Sequence, residues 1–171
     1  FFFFFFFYKK KKTNKPVIYL YDPYHVKSDQ WAAVFNPGSS LTIRGTKYDV
    51  IALALYRSLK EDGNLILSGG FDGFYTYFVA EGFTQGSSMG KWETITRWAQ
   101  SHNKLISISV GPGYDDTRIR PWNAKNTKSR ENGNYYKVRW DKMNELKPDF
   151  VSVTSFNEWM EGTQIESVVP K

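Results

Sequence analysis

The chain has 171 residues, 41% hydrophobic and 23% charged, a balance typical of one globular domain and unlike a collagen-like or disordered chain. Its net charge of +6 comes from the first residues, because from residue 17 onward 18 basic residues face 17 acidic ones. A nucleic-acid partner requires a basic patch on the folded domain, so this distribution argues against one. With no cysteine, the chain has no disulfide framework and no cysteine-based zinc site.

The chain begins with two homopolymer runs, FFFFFFFYKKKKTNK, a composition that builds neither an alternating strand nor an amphipathic helix. Runs of Phe and Lys are also what poly-T and poly-A DNA encode, so we interpret residues 1–15 as a low-complexity tail of artefactual origin. No stretch reaches the roughly 18 to 20 continuous apolar residues of a membrane-spanning helix. We therefore expect a domain over residues 16–171 and no membrane segment in this chain.

From residue 16 onward, apolar runs of strand length alternate with helix-like segments, which predicts βα units and a parallel sheet. Strands are predicted over residues 17–22, 71–78, 105–110 and 150–156, while residues 48–55 form either a fifth strand or the start of a helix. Apolar residues at helical spacing predict helices over residues 91–103 and 131–146. Four or five βα units make about half of an eight-unit barrel, so the predicted fold class is α/β, the C-terminal half of a (β/α)8 TIM-type barrel.

Each predicted strand is followed by a polar segment rich in aromatic residues, namely residues 22–25, 75–77, 111–116 and 157–161. Because the carboxyl ends of parallel barrel strands open onto one face, we expect these segments to form one site. Aromatic residues are 23 of the 156 in residues 16–171, and such rings stack on sugar faces. A carbohydrate groove is one interpretation of this abundance, and ordinary core and surface aromatics are the other.

The strongest local feature is SFNEWMEGTQIE, residues 155–166, which places Glu158 and Glu161 three residues apart just after an apolar strand. Two carboxyls in different environments are the usual equipment for cleaving a glycosidic bond. Burial beside Trp159 is expected to raise the pKa of one of them, but the spacing does not say which. A solvated turn is the alternative explanation of the spacing.

The remaining polar motifs carry weaker signals. His25 either bonds a substrate hydroxyl or has a structural role, and His102 is expected at a helix end. Asp115 and Asp116 are expected on a loop surface rather than at a cation. The turn at residues 111–113 lacks the following Lys-Ser/Thr of a phosphate loop, and no metal-ligand motif is present. We expect no metal and no cofactor.

Taken together, the segments YLYDPYH, TIRGTKYD, GFDGFYTYF, SVGPGYDDTRIRPWN and VTSFNEWMEGTQIE resemble glycoside hydrolase family 99, the endo-α-1,2-mannosidases. The resemblance covers essentially all of residues 16–171. It implies a (β/α)8 barrel that cuts α-mannosidic bonds inside a glycan, either a glucosylated high-mannose N-glycan or an α-mannan. It also implies, for animal members, the lumenal side of the Golgi membrane, with the anchor outside this chain.

The resemblance further implies a retaining reaction through a 1,2-anhydro sugar. Glu158 matches the carboxylate that deprotonates the sugar's 2-hydroxyl, and Glu161 matches the general acid. Four residues match the subsite for the cleaved mannose, namely Tyr24, His25, Tyr77 and Asn157. Trp159 is taken as a further substrate-binding residue. Met160 stands where the family often has His.

A complete barrel would add strands before this chain and a helix after its last strand. An open half-barrel exposes sheet edges, so we expect the chain alone to be poorly folded and inactive, although its parent is an enzyme. The alternative is a non-catalytic or degenerate glycan-binding protein, motivated by Met160 and the partial barrel. A nucleic-acid binder rests only on the charge of the tail.

Overall fold

The structure, a computed structural model, describes residues 15–168 and the backbone of Phe5–Phe7. Its centre is a sheet of five parallel strands that lie side by side in chain order: β2 (Val17–Leu20), β3 (Ile51–Leu55), β4 (Gly73–Tyr75), β5 (Leu105–Val110) and β6 (Phe150–Val153). Sequential parallel strands joined by helices are the arrangement of part of a (β/α)8 barrel. The predicted fold class is confirmed.

A short strand from the predicted tail joins the sheet. β1 (Phe5–Phe7) pairs antiparallel with β6, so β1 and β2 are the two outer strands. Residues 1–4 and 8–14 of the tail lie outside the described residues, and the domain boundary at residue 15 stays a prediction. So does the expectation that the chain alone folds poorly; a cooperative thermal transition would contradict it.

Four helices cover one face of the sheet: α1 (Ser28–Phe35), α2 (Leu59–Ser68), α3 (Trp92–Ser101) and α4 (Asn134–Leu146). The predicted helices correspond to α3 and α4, and residues 48–55 contain β3 rather than a helix start. The sequence interpretation missed α1 and α2, which are short. A signal for α2 was present, since Ser58 is followed three residues later by Glu61, and Ser58 Oγ caps the helix by accepting the Glu61 amide at 3.3 Å.

The main core lies between the sheet and these helices. Alternate β5 residues, such as Ile108, point towards Trp92 and Ile95 of α3 and Met143 of α4, all buried. Gly73 lets β4 approach β5, because a side chain there would collide with the Leu105 carbonyl oxygen. Packing on this face fixes the sheet and therefore the positions at which its strands end.

The opposite face of the sheet, which is the inside of a barrel, mixes apolar and hydroxyl side chains. Leu53 and Tyr75 pack there with their neighbours, and Ser109 Oγ lies 2.6 Å from Ser152 Oγ across β5 and β6. Both serines are buried, so their mutual hydrogen bond satisfies groups that burial would otherwise penalise. This polar interior lies beneath the loops that carry the candidate site.

The amino ends of the strands are held by Arg44, which donates five hydrogen bonds. Its guanidinium reaches Asp49 at 3.3 Å and Asp72 at 2.9 Å, and it also bonds three backbone carbonyls, those of Phe35, Val50 and Gly70. Lys15 completes the cluster at 2.7 Å from Asp49. The connection from α1 to β3 is therefore tied to the base of the sheet.

Candidate active site

The segments after the strands converge on one cleft of about 280 Å³ at the carboxyl ends of the sheet. It receives residues from the segments after β2, β4, β5 and β6, as expected for parallel strands. Its lining is Tyr21, Phe78, Val79, Ala80, Phe83, Tyr114, Asp116, Arg120, Trp122, Asn123, Asn126 and Glu161. Aromatic rings and a few polar groups around a concave space are typical of a small-ligand site.

A closed turn after β6 carries both predicted carboxyls. Ser155 and Thr163 pair at its base, with a backbone hydrogen bond of 2.9 Å and hydroxyl oxygens 2.8 Å apart. Ser155 Oγ also accepts the amide of Glu158 at 2.9 Å, and the Asp115 amide donates to the Glu161 carbonyl at 2.8 Å. Glu158 and Glu161 therefore stand on a backbone that the β5 segment and the turn's own base hold in place.

Glu161 is the carboxyl whose environment favours the protonated form. Its side chain is 20% exposed in the cleft, and burial together with the charge of Glu158 raises its pKa, while Arg120 partly opposes the rise. The sequence left open which carboxyl would be perturbed. Burial, the predicted cause, is the largest contribution to the raised pKa, but Trp159 is itself exposed and donates its indole N–H to Glu166 at 2.8 Å.

Tyr77 lies buried beside both carboxyls. Burial and then the charges of Glu161, Tyr21 and Glu158 raise its pKa well above its usual value, so its hydroxyl stays protonated. Its backbone is left-handed, at φ 45°, a strained conformation for tyrosine, and Thr154 Oγ1 bonds its carbonyl at 2.8 Å. The structure thus brings together three of the predicted site residues.

Asp116 departs most from its expected place. The sequence predicts a loop surface, but the Asp116 side chain is fully buried. Its carboxylate accepts hydrogen bonds from Tyr114 at 2.9 Å, Asn123 at 2.9 and 3.0 Å, and Arg120 at 3.0 Å. Arg120 also donates to Glu161 Oε1 at 3.3 Å, so one arginine links the buried Asp116 carboxylate to the Glu161 carboxyl.

Of the predicted site residues, Glu161 alone is among those that line this cleft, and Glu158 and Tyr77 lie next to it. Tyr24 stacks against the Arg57 guanidinium at 3.9 Å and lines a neighbouring cleft of about 620 Å³, which shares Phe78 and Phe83 with the first. His25 is exposed, with its ring 4.0 Å from Asp22, and Asn157 is exposed on the turn. Their substrate-binding roles, and that of Trp159, stay predictions.

Among the lining residues outside the segments that the sequence analysis expected at the site are Arg120 and Trp122. One signal was available, because Asp116 and Arg120 stand four residues apart, a spacing that pairs charges on one helical turn. Trp122 follows in a 3-10 helix, Pro121–Asn126, and is 79% exposed. An exposed tryptophan beside a carboxyl pair is a candidate sugar platform.

The described residues hold neither a grouped set of metal ligands nor a membrane-spanning helix. Within residues 15–168, no three His, Asp or Glu side chains are grouped so that they would hold a metal ion. Over the same part of the chain, no helix has the length and apolar character to cross a membrane.

A carboxyl that lines an aromatic cleft, with a second carboxyl three residues away on the same turn, at the carboxyl ends of a parallel barrel sheet, is an arrangement found in glycoside hydrolases. The family profile described as Glycosyl hydrolase family 99 matches residues 4–171. The glycoprotein endo-alpha-1,2-mannosidase of Rattus norvegicus is 47% identical over 156 residues, which are 91% of this chain and 34% of that protein. The glycoprotein endo-alpha-1,2-mannosidase-like protein of Homo sapiens is 46% identical over 158 residues, with 91% and 34% covered.

A solved structure gives the same answer. The GH99 endo-alpha-mannosidase from Bacteroides thetaiotaomicron superposes with a TM-score of 0.88 at 46% identity, covering 94% of this chain and 47% of that one. The chain therefore belongs to glycosyl hydrolase family 99, as its motifs indicated. It spans about a third of the length of the curated relatives that it matches.

Proposed function

We propose that the protein carrying this chain is a retaining endo-α-1,2-mannosidase that cleaves inside glucosylated high-mannose N-glycans. The observation that carries the proposal is the environment of Glu161, which lines the aromatic cleft at the carboxyl ends of the strands and has a pKa raised by burial and by the charge of Glu158. Membership of the family and the names of the relatives support the α-mannosidic bond as the target.

Glu161 acts as the general acid. Because burial and Glu158 raise its pKa, a proton remains on it nearer to neutral pH than on an ordinary glutamate. It gives that proton to the glycosidic oxygen as the bond to the anomeric carbon breaks. The resulting carboxylate then takes a proton from the water that completes hydrolysis.

Glu158 acts as the base. It takes the proton of the 2-hydroxyl while that oxygen attacks the anomeric carbon, forming the 1,2-anhydro sugar as the leaving group departs. Water then attacks the anomeric carbon, the 2-oxygen regains its proton, and the configuration is retained. One tight turn carrying both carboxyls suits this chemistry, because the 2-hydroxyl and the glycosidic oxygen sit on adjacent carbons.

Substitution of each carboxyl tests the proposal. Glu161→Gln and Glu158→Gln are each expected to lower release of the glucosylated mannose fragment from a high-mannose N-glycan by about 10²- to 10⁴-fold. Glu166→Gln is the matched control, since Glu166 lies in the same segment and bonds the exposed Trp159. Activity unchanged in both catalytic variants would refute the assignment.

A substrate with fluoride as leaving group separates the two roles. Fluoride departs without protonation, so its release by Glu161→Gln in the first turnover is expected to stay near the unsubstituted rate. Glu158→Gln still lacks the base and stays slow. Equal losses in the two variants on the fluoride would contradict the division of roles.

A second candidate is a degenerate, non-catalytic glycan-binding protein, motivated by Met160 between the carboxyls. The Met160 side chain is half-exposed, and its backbone N–H donates to Glu158 Oε1 at 3.1 Å, a contact available to any residue but proline. This candidate predicts glycan binding without product, and product formation after Met160→His. Turnover by the unsubstituted protein would exclude it.

We propose the lumenal side of the Golgi membrane as the place of action, which rests on the family resemblance alone. Fractionation of cells that express the protein, with protease protection of the lumenal fraction, tests it. A protein that protease digests in intact vesicles would contradict it.

A further inference from the structure

We propose that Asp116 and Arg120 form a positioning pair for Glu161, in which Asp116 fixes Arg120 and takes up most of its charge, so that Arg120 orients the acid without ionising it. The inference rests on the proposed role of Glu161 and adds two residues that act through it. The hydrogen bonds of both residues carry the argument.

Asp116 is a buried carboxylate satisfied by three side chains. Its own burial favours the neutral form, but hydrogen bonds from Arg120, Asn123 and Tyr114 outweigh that effect and hold its pKa below the usual value. A fully buried carboxylate with these donors stays ionised. It therefore presents a permanent negative charge beneath the cleft.

Arg120 divides one nitrogen between two carboxyls unequally. Its Nη1 lies 3.0 Å from Asp116 and 3.3 Å from Glu161, and its backbone amide also bonds the Asp116 carbonyl at 2.7 Å. The Asp116 carboxylate is the more deeply buried of the two, and charges interact more strongly where water is excluded. The stronger bond therefore goes to Asp116, and Glu161 receives an oriented donor whose charge is largely balanced.

The charges around Glu161 determine in which direction its pKa changes when a neighbouring charge is removed. The groups that act on its carboxyl are Glu158 and Asp116, which raise its pKa, and Arg120, which lowers it. Three tyrosines also face it and stay neutral over the working range, namely Tyr21, Tyr77 and Tyr114. Removal of Asp116's charge must therefore lower the pKa of Glu161, and removal of Arg120's charge must raise it.

Titration of Glu161 in variants tests the pair. Protein labelled with ¹³C at the glutamate carboxyl carbons is titrated by NMR, and the Glu161 resonance is assigned by its loss in Glu161→Gln. Asp116→Asn is expected to shift the midpoint down and Arg120→Gln to shift it up, with the alkaline limb of the pH–kcat profile moving the same way. Arg120→Gln is also expected to lower kcat about 10- to 100-fold through loss of orientation.

Arg130→Gln is the matched control. Arg130 holds the same turn by donating to the carbonyls of Gly162 and Gln164, at 2.9 and 2.8 Å, without a contact to the Glu161 carboxyl in the described residues. It is expected to lower stability and to leave the Glu161 midpoint unchanged. Arg120→Lys, which keeps the charge, is expected to return the midpoint towards the unsubstituted value.

The outcomes separate this proposal from the proposed function. Opposite shifts in a protein that releases no mannoside would support the pair and sink the proposed function. If turnover depends on Glu161 but the Glu161 midpoint is identical in the unsubstituted protein, Asp116→Asn and Arg120→Gln, the proposed function stands and the positioning pair is overturned. Shifts of the same sign in both variants, or a midpoint at the value of an exposed glutamate in all three, would overturn the pair.

Discussion

An arginine lies between two carboxyls at each end of the sheet, and the two clusters differ in how completely they are satisfied. At the amino ends, Arg44 is 12% exposed and donates hydrogen bonds to Asp49, Asp72 and three carbonyls. At the carboxyl ends, Arg120 is 44% exposed and donates to Asp116 and Glu161 from one nitrogen. The guanidinium of Arg44 is therefore fully bonded within the fold, whereas that of Arg120 is open to the cleft.

The pKa of Asp49 at the amino ends and the pKa of Glu161 at the carboxyl ends shift in opposite directions, because the two carboxyls differ in how many hydrogen bonds they receive. Hydrogen bonds from Lys15, the Gly45 amide and Arg44 hold the pKa of Asp49 well below its usual value despite burial. At the cleft, burial and Glu158 raise the pKa of Glu161, and the single shared bond from Arg120 does not reverse the rise. Asp49, whose charge is satisfied by hydrogen bonds, stabilises the fold. Glu161, whose charge is satisfied only in part, keeps its proton to a higher pH than an ordinary glutamate, as the proposed general acid requires.

The largest expected effect on stability distinguishes the two arginines. Arg44→Met is expected to lower the free energy of unfolding by about 3–5 kcal/mol, because it leaves Asp72 and three backbone carbonyls without this donor. Asp49 loses one partner and keeps Lys15. Arg120→Met is expected to cost less, about 1–3 kcal/mol, because Tyr114 and Asn123 still bond the buried Asp116. Urea unfolding of the complete protein that carries this chain measures both. Equal losses would remove the distinction between a structural and a functional cluster.

The dependence of stability on pH is expected to divide between the two carboxyls. Asp49, with its pKa lowered from 3.8, stabilises the fold above that value, and the contribution is lost as the pH falls through its folded pKa. Glu161, with its pKa raised from 4.5, contributes stability below that value, which is lost as the pH rises through its folded pKa. The two ends thus lose stability in opposite directions of pH.

Two variants check this division by urea unfolding at a series of pH values. Asp49→Asn is expected to flatten the acid side of the stability curve and to lower stability at neutral pH. Glu161→Gln is expected to flatten the side above pH 4.5 and to be more stable than the unsubstituted protein at neutral pH. A Glu161→Gln variant less stable than the parent at every pH would show that the carboxyl is satisfied after all.

Periodicity and strand-end composition predicted the sheet and the segment that carries the carboxyls, because both are written in local sequence. The bounds of β5 agree residue for residue with the apolar run at 105–110, and Glu158 and Glu161 follow β6 as expected. The missed helices, α1 and α2, lack a long apolar period and depend on caps and packing.

The electrostatics of the site depend on one contact between residues far apart in sequence. Asp116 takes its hydrogen bonds from residues within seven positions of it, but Arg120 reaches Glu161 across 41 residues of chain. Spacing therefore identified the carboxyl pair but not which member keeps the proton. The sequence attributed the burial of one carboxyl to Trp159, but Trp159 is exposed, and Glu161 is instead buried among the residues that line the cleft.

The smallest expected effect concerns the wall of the cleft rather than its charges. Trp122 is 79% exposed and lines the cleft with Arg120 and Glu161. Under the proposed function, its ring is a platform on which a sugar bound in the cleft can stack. Trp122→Ala is expected to weaken binding of a mannose-containing glycan about 5- to 10-fold, with the melting temperature unchanged because little of the ring is buried.

Titration calorimetry with the Glu161→Gln variant as host measures that binding without turnover. Tyr48→Ala is the matched control, since Tyr48 is also exposed, at 66%, but precedes β3 at the amino ends of the strands. It is expected to leave affinity unchanged. If both substitutions weaken binding equally, the glycan contacts exposed rings without regard to the cleft, and the functional contrast between the two ends of the sheet fails. If only Trp122→Ala weakens binding, the glycan binds at the carboxyl ends of the strands, against the segment that carries both Trp122 and Arg120.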